Sequence, residues 1–193
     1  MDGTLGAVMS AAGASTLVII GSTIFLVGAA IGVPKVFLEA DPQVRLAMLE
    51  RRLTLWRVAQ PLYVVGPLVA SVGVGLLSTT NAAGDGSGWI AVSCALLVVG
   101  VAFWSGDALP RMVRHRAFAL GALPWWPFAW YVWSTLVGLL ALGVGLLMAD
   151  IPGWVGWLTI AADVCFAVFF VVTRDIPPFF FYLLLLVVAF GWL

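Results

Sequence analysis

Residues 153–172 read GWVGWLTIAADVCFAVFFVV, an apolar run of 20 residues with one charged side chain, Asp163, near its middle. At a rise of about 1.5 Å per residue, a helix of this length matches the hydrocarbon core of a bilayer, which is about 30 Å thick. The run therefore predicts a transmembrane helix. A carboxyl group at that depth costs on the order of 3 kcal/mol and usually faces protein or water. Asp163 is accordingly the first candidate functional residue.

The composition extends this interpretation to the whole chain. Hydrophobic residues make up 63% of the 193 residues and charged residues only 9%, which is far from the composition of a soluble domain. We predict an all-α polytopic membrane protein that forms a single transmembrane domain over residues 1–193. Six spans are expected, at 12–33, 53–78, 88–104, 128–148, 153–172 and 178–193. Residues 1–10 contain no Lys or Arg, so the first apolar run is interpreted as a span and not as a cleavable signal.

The connector at residues 42–56 has the pattern of an amphipathic helix. Asp41-Pro42 fits an N-cap followed by proline at the first helical position. An apolar stripe then recurs at steps of three and four residues: Leu46, Leu49, Leu53 and Trp56. We expect a helix in the headgroup region that bends into the second span. It serves either as a solvated connector or as a surface for anionic lipid or a partner.

The basic residues indicate the orientation in the membrane. With six spans, all nine Lys and Arg residues fall in or beside the first, third and fifth connectors: Lys35, Arg45, Arg51, Arg52, Arg57, Arg111, Arg114, Arg116 and Arg174. Basic connectors remain in the cytoplasm. The pattern predicts a plasma (cytoplasmic) membrane protein with both termini outside.

Three motifs recur in the same order and suggest an internal repeat. They are GVGLL at 73–77 and 143–147, Gly-Trp at 88–89 and 153–154, and Asp-x-x-Pro at 107–110 and 175–178. The matching spans run in the same sense, which predicts a parallel repeat of a two-helix hairpin. Gly, Val and Leu are so common in this chain that chance recurrence is the alternative.

Asp163 has two opposed interpretations. A low-dielectric environment favours the neutral carboxyl group, which suits proton-linked transport or a general acid in an intramembrane enzyme. Alternatively, the carboxyl group holds helices together through hydrogen bonds to polar partners: Gln60, Tyr63, Ser134 or Thr135. Asp163 is thus the catalytic candidate, and Asp163, Gln60 and Tyr63 are binding candidates.

Three further binding candidates lie at the basic boundary of the spans, namely Arg57, Asp107 and Asp175. Helix capping explains the aspartates, because Asp175 precedes two prolines and the sixth span. A functional interpretation pairs the aspartates with Arg57 or Arg174 around an inner vestibule. Arg57 alternatively extends to the headgroups.

Other chemistries have little support. The formal net charge is zero, so no electrostatic argument favours nucleic acid as a partner. His115 is the only histidine, and Cys94 and Cys165 match no metal-ligand spacing, so we expect no metal and no cofactor. The GxSxG, HExxH, P-loop and GxGxxG motifs do not occur in the sequence.

Two stretches, IPGWVGW at 151–157 and RDIPPFFFY at 174–182, resemble small uncharacterised integral membrane proteins of actinobacterial type. This resemblance covers the last third of the chain and implies a polytopic helical membrane protein without implying an activity. From the residues themselves we predict a non-catalytic membrane protein, either an accessory subunit or a binder of lipid or an apolar small molecule. Its partners would be membrane lipid and other membrane subunits. The alternatives are a small proton-linked transporter using Asp163 and an intramembrane enzyme acting on an isoprenoid or lipid.

Overall fold

A computed structural model describes residues 10–192 of the chain, and these residues form helices without any β-strand. The helices are α1 (Ala11–Ile31), α2 (Pro42–Arg51), α3 (Leu53–Leu77), α4 (Ser87–Val113), α5 (His115–Ala119), α6 (Trp126–Leu147), α7 (Gly153–Thr173) and α8 (Phe179–Phe190). Short 3-10 helices lie at Pro34–Phe37 and Asn81–Gly86. The all-α prediction is confirmed.

Five helices, α1, α3, α4, α6 and α7, are long and apolar enough to cross a membrane. The sixth predicted span corresponds to α8, which has only 12 residues. At about 1.5 Å per residue it measures about 18 Å, well below the thickness of the hydrocarbon core. The predicted end of that span at residue 193, like residues 1–9, lies outside the described residues.

The third long helix extends further than its apolar run. The predicted span ends at residue 104, whereas α4 continues through Asp107, Pro110 and Arg111 to Val113. Charged residues and proline are typical of a helix end, which is why the sequence suggested an earlier boundary. Asp107 and Arg111 stand four residues apart and form an ion pair along the helix, so neither charge interrupts it.

The amphipathic connector predicted at residues 42–56 is helical, but α2 ends at Arg51 and residues 53–56 form the first turn of α3. Asp41 is the N-cap of α2, and the carboxylate accepts hydrogen bonds from the backbone N–H groups of Gln43 (2.8 Å) and Val44. The chain bends at Arg52, where φ is −131°, and continues as α3. The predicted stripe packs in a small cluster beneath the bundle: Leu46, Leu49, Leu53 and Trp56, together with Val33, Val36, Met48, Phe118 and Ala119.

The helices α1 and α3 touch through their backbones. A methyl group on Gly66 would lie 2.6 Å from the backbone nitrogen of Phe25 and 2.7 Å from the carbonyl oxygen of Gly21. Only a residue without a side chain fits at this distance, which is the usual device for close packing of helices in lipid. This contact sets the separation of the first two long helices.

Neighbouring long helices run antiparallel. Trp104, late in α4, packs against Tyr63 and Tyr131, which lie early in α3 and α6. At the other end, the Ser15 hydroxyl of α1 donates a hydrogen bond to the carbonyl oxygen of Ala189 in α8 (2.5 Å). The C-terminal ends of α1, α4 and α7 therefore lie together. We call this the basic end, because the nine Lys and Arg residues lie in or beside its connections.

Candidate ligand-binding cavity

A cavity of about 560 Å³ lies at the basic end of the bundle. Aromatic side chains form much of its wall: Phe25, Phe37, Tyr63, Trp104, Phe118, Trp125, Phe128 and Phe179. Its charged lining residues are Arg45, Asp107, Arg111, Arg174 and Asp175. Leu38, also in the wall, is 86% exposed, so the cavity reaches the surface of the protein.

The short α8 explains why there is space at this end. Its first residue, Phe179, lies in the cavity wall, and Tyr182 stacks on Phe25 with ring centroids 4.0 Å apart. The segment from Arg174 to Pro178 is not helical, and Ile176 at its centre is fully buried in the bundle while Arg174, Asp175 and Pro177 are exposed. This segment and the cavity occupy the volume that the first turns of a full-length sixth helix would fill. Non-helical backbone at membrane depth is tolerated where it is buried in protein or lines a cavity.

The ion pair between Asp107 and Arg111 forms part of the wall. The Arg111 side chain is 11% exposed and that of Asp107 is 5% exposed. The guanidinium carbon of Arg111 also lies 4.9 Å from the ring centroid of Phe118, 5.3 Å from Trp104 and 5.8 Å from Phe37. Such cation–π contacts favour a fixed position of the charge. The Arg111 Nε is nevertheless buried without a hydrogen-bond partner within residues 10–192.

Trp104 is fixed by a carbonyl group that a proline leaves free. Pro67 lacks the N–H that would bond to the carbonyl oxygen of Tyr63 four residues earlier. The indole N–H of Trp104 donates to that oxygen at 2.7 Å. The proline in α3 therefore creates the acceptor that positions this ring in the cavity wall.

Trp56 also donates its indole N–H to a backbone carbonyl group, near the end of α4. Its indole N–H donates to the carbonyl oxygen of Arg111 at 3.0 Å. This carbonyl belongs to the last turn of α4, where carbonyl groups lack helical partners. The bond ties the end of α4 to α3 and holds the backbone of Arg111 in place.

Two arginines in the wall have no carboxylate partner within residues 10–192. Among the described residues the ion pairs are Asp107–Arg111 and Glu50–Arg116, which leaves Arg45 and Arg174 unpaired. The Nε of Arg45 is buried without a hydrogen-bond partner, whereas Arg174 is exposed. Because Asp175 is the other charged wall residue outside these ion pairs, this part of the wall carries one positive charge in excess.

Backbone strain occurs on both sides of the opening. Val33 and Arg174 are the two non-glycine residues with positive φ within residues 10–192, at 59° and 58°. Val33 immediately precedes the wall residue Pro34, and Arg174 lies in the wall itself. This conformation is costly for a β-branched residue and is enriched at binding sites.

The structure brings three of the six predicted binding residues into the cavity wall: Tyr63, Asp107 and Asp175. Arg57 is exposed and is not part of the wall, so the partner of Asp107 is Arg111. The predicted capping role of Asp175 is wrong. Pro178 is the N-cap of α8 and makes no side-chain bond, while the backbone N–H of Asp175 donates to the Thr173 hydroxyl at 3.2 Å.

Asp163 and Gln60 lie elsewhere in the bundle. Asp163 is 4% exposed, on the buried face of α7 with Gly156 and Thr159, and its Oδ1 has no hydrogen-bond partner within residues 10–192. Gln60 is fully buried, and its amide donates to the carbonyl oxygen of Trp56 at 3.4 Å. These two residues are not in the cavity wall.

Sequence reasoning missed Arg45 and Arg111. The spacing of Asp107 and Arg111, four residues apart, is a signal for a helical ion pair and could have identified Arg111. Arg45 has no comparable signal, because its place in the wall depends on how α2 folds under the bundle. In the described part of the chain, no group of three His, Cys, Asp or Glu side chains is arranged to hold a metal ion.

The chain matches no protein-family model, no curated protein and no solved structure. The assignment of a function therefore rests on the chemistry of the cavity.

Proposed function

We propose that this protein is a non-catalytic integral membrane protein that binds a lipid or another apolar small molecule in the cavity at the basic end. The cavity itself carries the proposal. Its volume of about 560 Å³ is in the range of small-molecule sites. Aromatic walls with a few convergent polar groups are the usual composition of such sites.

We further propose that the chain crosses the plasma membrane six times, with the basic end in the cytoplasm and both termini outside. The grouping of all nine basic residues at one end supports this orientation. The sixth crossing would consist of the non-helical segment before α8 and of α8 itself. The contact between Ser15 and Ala189 supports it, because α8 then ends beside the start of α1.

A discontinuous last crossing also supports a binding role. Non-helical backbone in a membrane protein is tolerated where it is buried in protein or lines a cavity. Here the non-helical segment between α7 and α8 supplies five consecutive wall residues, Arg174 to Pro178.

Duplication of the α3–α4 hairpin as α6–α7 is proposed on the sequence motifs alone. The matching glycines have different neighbours, since Gly73 faces Val18 of α1 and Gly143 faces Ile160 of α7. The binding role does not depend on the duplication.

A small proton-linked transporter that uses Asp163 is the second candidate. The observation in its favour is the unpartnered Oδ1 of Asp163 within the bundle. Because Asp163 does not line the cavity, proton-linked transport would require a separate proton pathway through the bundle. The binding role, which uses the observed cavity, is therefore preferred.

Photoaffinity labelling tests the binding role. The purified protein in lipid nanodiscs is irradiated with hexadecanol that carries a diazirine in its chain, and labelled peptides are mapped by mass spectrometry. We expect labelling of the wall around Tyr63, Trp104 and Phe179, in addition to the lipid-facing surface.

Two variants of α1 provide the control. Ala29→Phe places a ring in the cavity wall, whereas Ala30→Phe adds the same ring on the exposed face one residue later. Only Ala29→Phe should remove the labelling of the wall. Equal labelling of the wall in the two variants, or labelling confined to the lipid-facing surface, would contradict the proposed function.

A further inference from the structure

We infer that the ligand is a single-chain amphiphile with an anionic head group, a carboxylate or a phosphate monoester, held by Arg45 and Arg174 at the opening of the cavity. This inference rests on the proposed function and specifies its ligand. It adds a head-group site to the apolar site proposed above.

The charge in the wall favours an anion. Three arginines (Arg45, Arg111 and Arg174) face two aspartates (Asp107 and Asp175), which leaves one positive charge in excess. Asp107 is committed to Arg111, so the excess lies with Arg45 and Arg174 at the opening. An anionic head group, either a carboxylate or a phosphate monoester, would offset this excess positive charge.

Two arginines of the wall also have an Nε–H group without an acceptor within the described residues. The Nε atoms of Arg45 and Arg111 are both buried without a hydrogen-bond partner within residues 10–192. Buried donors without acceptors are uncommon and cost free energy, because the bonds to water are lost. Carboxylate and phosphate oxygens are the acceptors that match guanidinium geometry most closely.

Part of the apolar wall lies deeper in the bundle than the arginines at the opening, although Phe37, Phe118 and Trp125 lie at the same end as these arginines. Phe25 lies six residues before the end of α1 at Ile31, which corresponds to about 9 Å along the helix axis. Arg45 and Arg174 belong to connections at the basic end, whereas Phe25 lies within α1 and Phe179 begins α8. An amphiphile in the adjacent leaflet has the same arrangement, with its head at the surface and its chain toward the bilayer centre.

The size of the cavity restricts the ligand to one chain. A volume of about 560 Å³ fits a ligand of small-molecule size. The second chain of a phospholipid would have to remain outside. A cationic head group is disfavoured, because the excess charge repels it and the surrounding rings already contact Arg111.

Competition against the diazirine probe tests this inference. The competitors share one saturated chain and differ in head group: hexadecanoic acid and hexadecyl phosphate in alkaline buffer, hexadecanol, and hexadecylamine. We expect both anions to displace the probe from the wall at about tenfold lower concentration than hexadecanol, a difference of about 1.4 kcal/mol. The amine should be the weakest competitor, and the stronger of the two anions distinguishes a carboxylate from a phosphate.

Arginine variants locate the head-group site. In the double variant Arg45→Gln/Arg174→Gln the anions should lose most of their advantage, while hexadecanol competes as before. Arg51→Gln removes an exposed arginine from the same helix as Arg45 without touching the wall, and should leave the preference for anions intact.

The outcomes separate the two proposals. If the probe labels the wall but hexadecanol competes as well as the anions, the inference is overturned and the proposed function stands. The same holds if the double variant keeps the preference for anions. If the wall is not labelled at all, the proposed function is overturned, and the inference fails with it.

Discussion

Replacing Asp107 by asparagine removes the carboxylate that neutralises Arg111 in the cavity wall. Breaking a buried ion pair from one side costs about 3–5 kcal/mol, because the remaining charge stays buried without a partner. Two features of the structure reduce this cost. The cavity reaches the surface of the protein, and three aromatic rings remain within 6 Å of the Arg111 guanidinium. We therefore expect Asp107→Asn to lower the free energy of unfolding by about 3 kcal/mol, the low end of that range.

An exposed pair serves as the matched control. Glu50 and Arg116 also form an ion pair, at 2.9 Å, but their side chains are 43% and 73% exposed. Breaking such a pair costs about 0–1 kcal/mol, so Glu50→Gln should change the stability little.

Unfolding of each variant by sodium dodecyl sulfate in mixed micelles, followed by far-UV circular dichroism, measures the difference. Removing both partners in Asp107→Leu/Arg111→Met should recover most of the loss, because no unpaired charge remains. The reasoning is refuted if Asp107→Asn costs no more than Glu50→Gln.

The same assay checks three further predictions. Gly66→Ala places a methyl group 2.6 Å from a backbone nitrogen of α1 and should lower the free energy of unfolding by about 1–3 kcal/mol. Gly106→Ala places its methyl group in open space and should keep or raise the stability. Equal effects of the two substitutions would contradict the close packing of α1 on α3. Trp104→Phe leaves a carbonyl group of α3 without its donor and should cost about 1–2 kcal/mol. This loss should shrink in a Pro67→Ala background, where residue 67 regains its N–H, and an unchanged loss would show that the indole N–H is not the cause. Asp163→Asn should keep or raise the melting temperature in detergent, because the buried Oδ1 of Asp163 has no hydrogen bond to lose within residues 10–192. A clear decrease would indicate a carboxylate-specific contact.

Much of the fold follows from local sequence. The apolar runs at 12–33, 53–78, 128–148 and 153–172 agree with α1, α3, α6 and α7 to within two residues at each boundary. In a membrane every backbone polar group must be satisfied within the helix, so a long apolar run has few alternatives to a helix. The N-cap at Asp41 and the apolar stripe that begins in α2 could also be predicted from the sequence, because both depend on residues within one or two helical turns.

The sequence was less informative where tertiary contacts decide the outcome. The length of α4 depends on Asp107 and Arg111 neutralising each other, although each residue alone is typical of a helix end. α8 is short because the segment from Arg174 to Pro178 is not helical and buries Ile176 in the bundle. No local sequence pattern specifies this arrangement. The cavity results from both effects. This is why Asp163, the residue most unusual for its depth, was more conspicuous in the sequence than Arg111.

Cysteine accessibility tests the central claim most directly, namely that an open cavity lies at the basic end. Cys94 and Cys165 are first replaced by alanine, and Ala29→Cys or Ala30→Cys is then introduced. Thiols react as thiolates and therefore need water. In inside-out vesicles, a membrane-impermeant methanethiosulfonate should modify the cysteine of Ala29→Cys, which lies in the cavity wall. It should not modify the cysteine of Ala30→Cys, which would face lipid. Hexadecanoic acid should protect the cysteine of Ala29→Cys from modification. Equal reactivity at the two positions, or none at Ala29→Cys, would contradict the cavity and the function proposed for it.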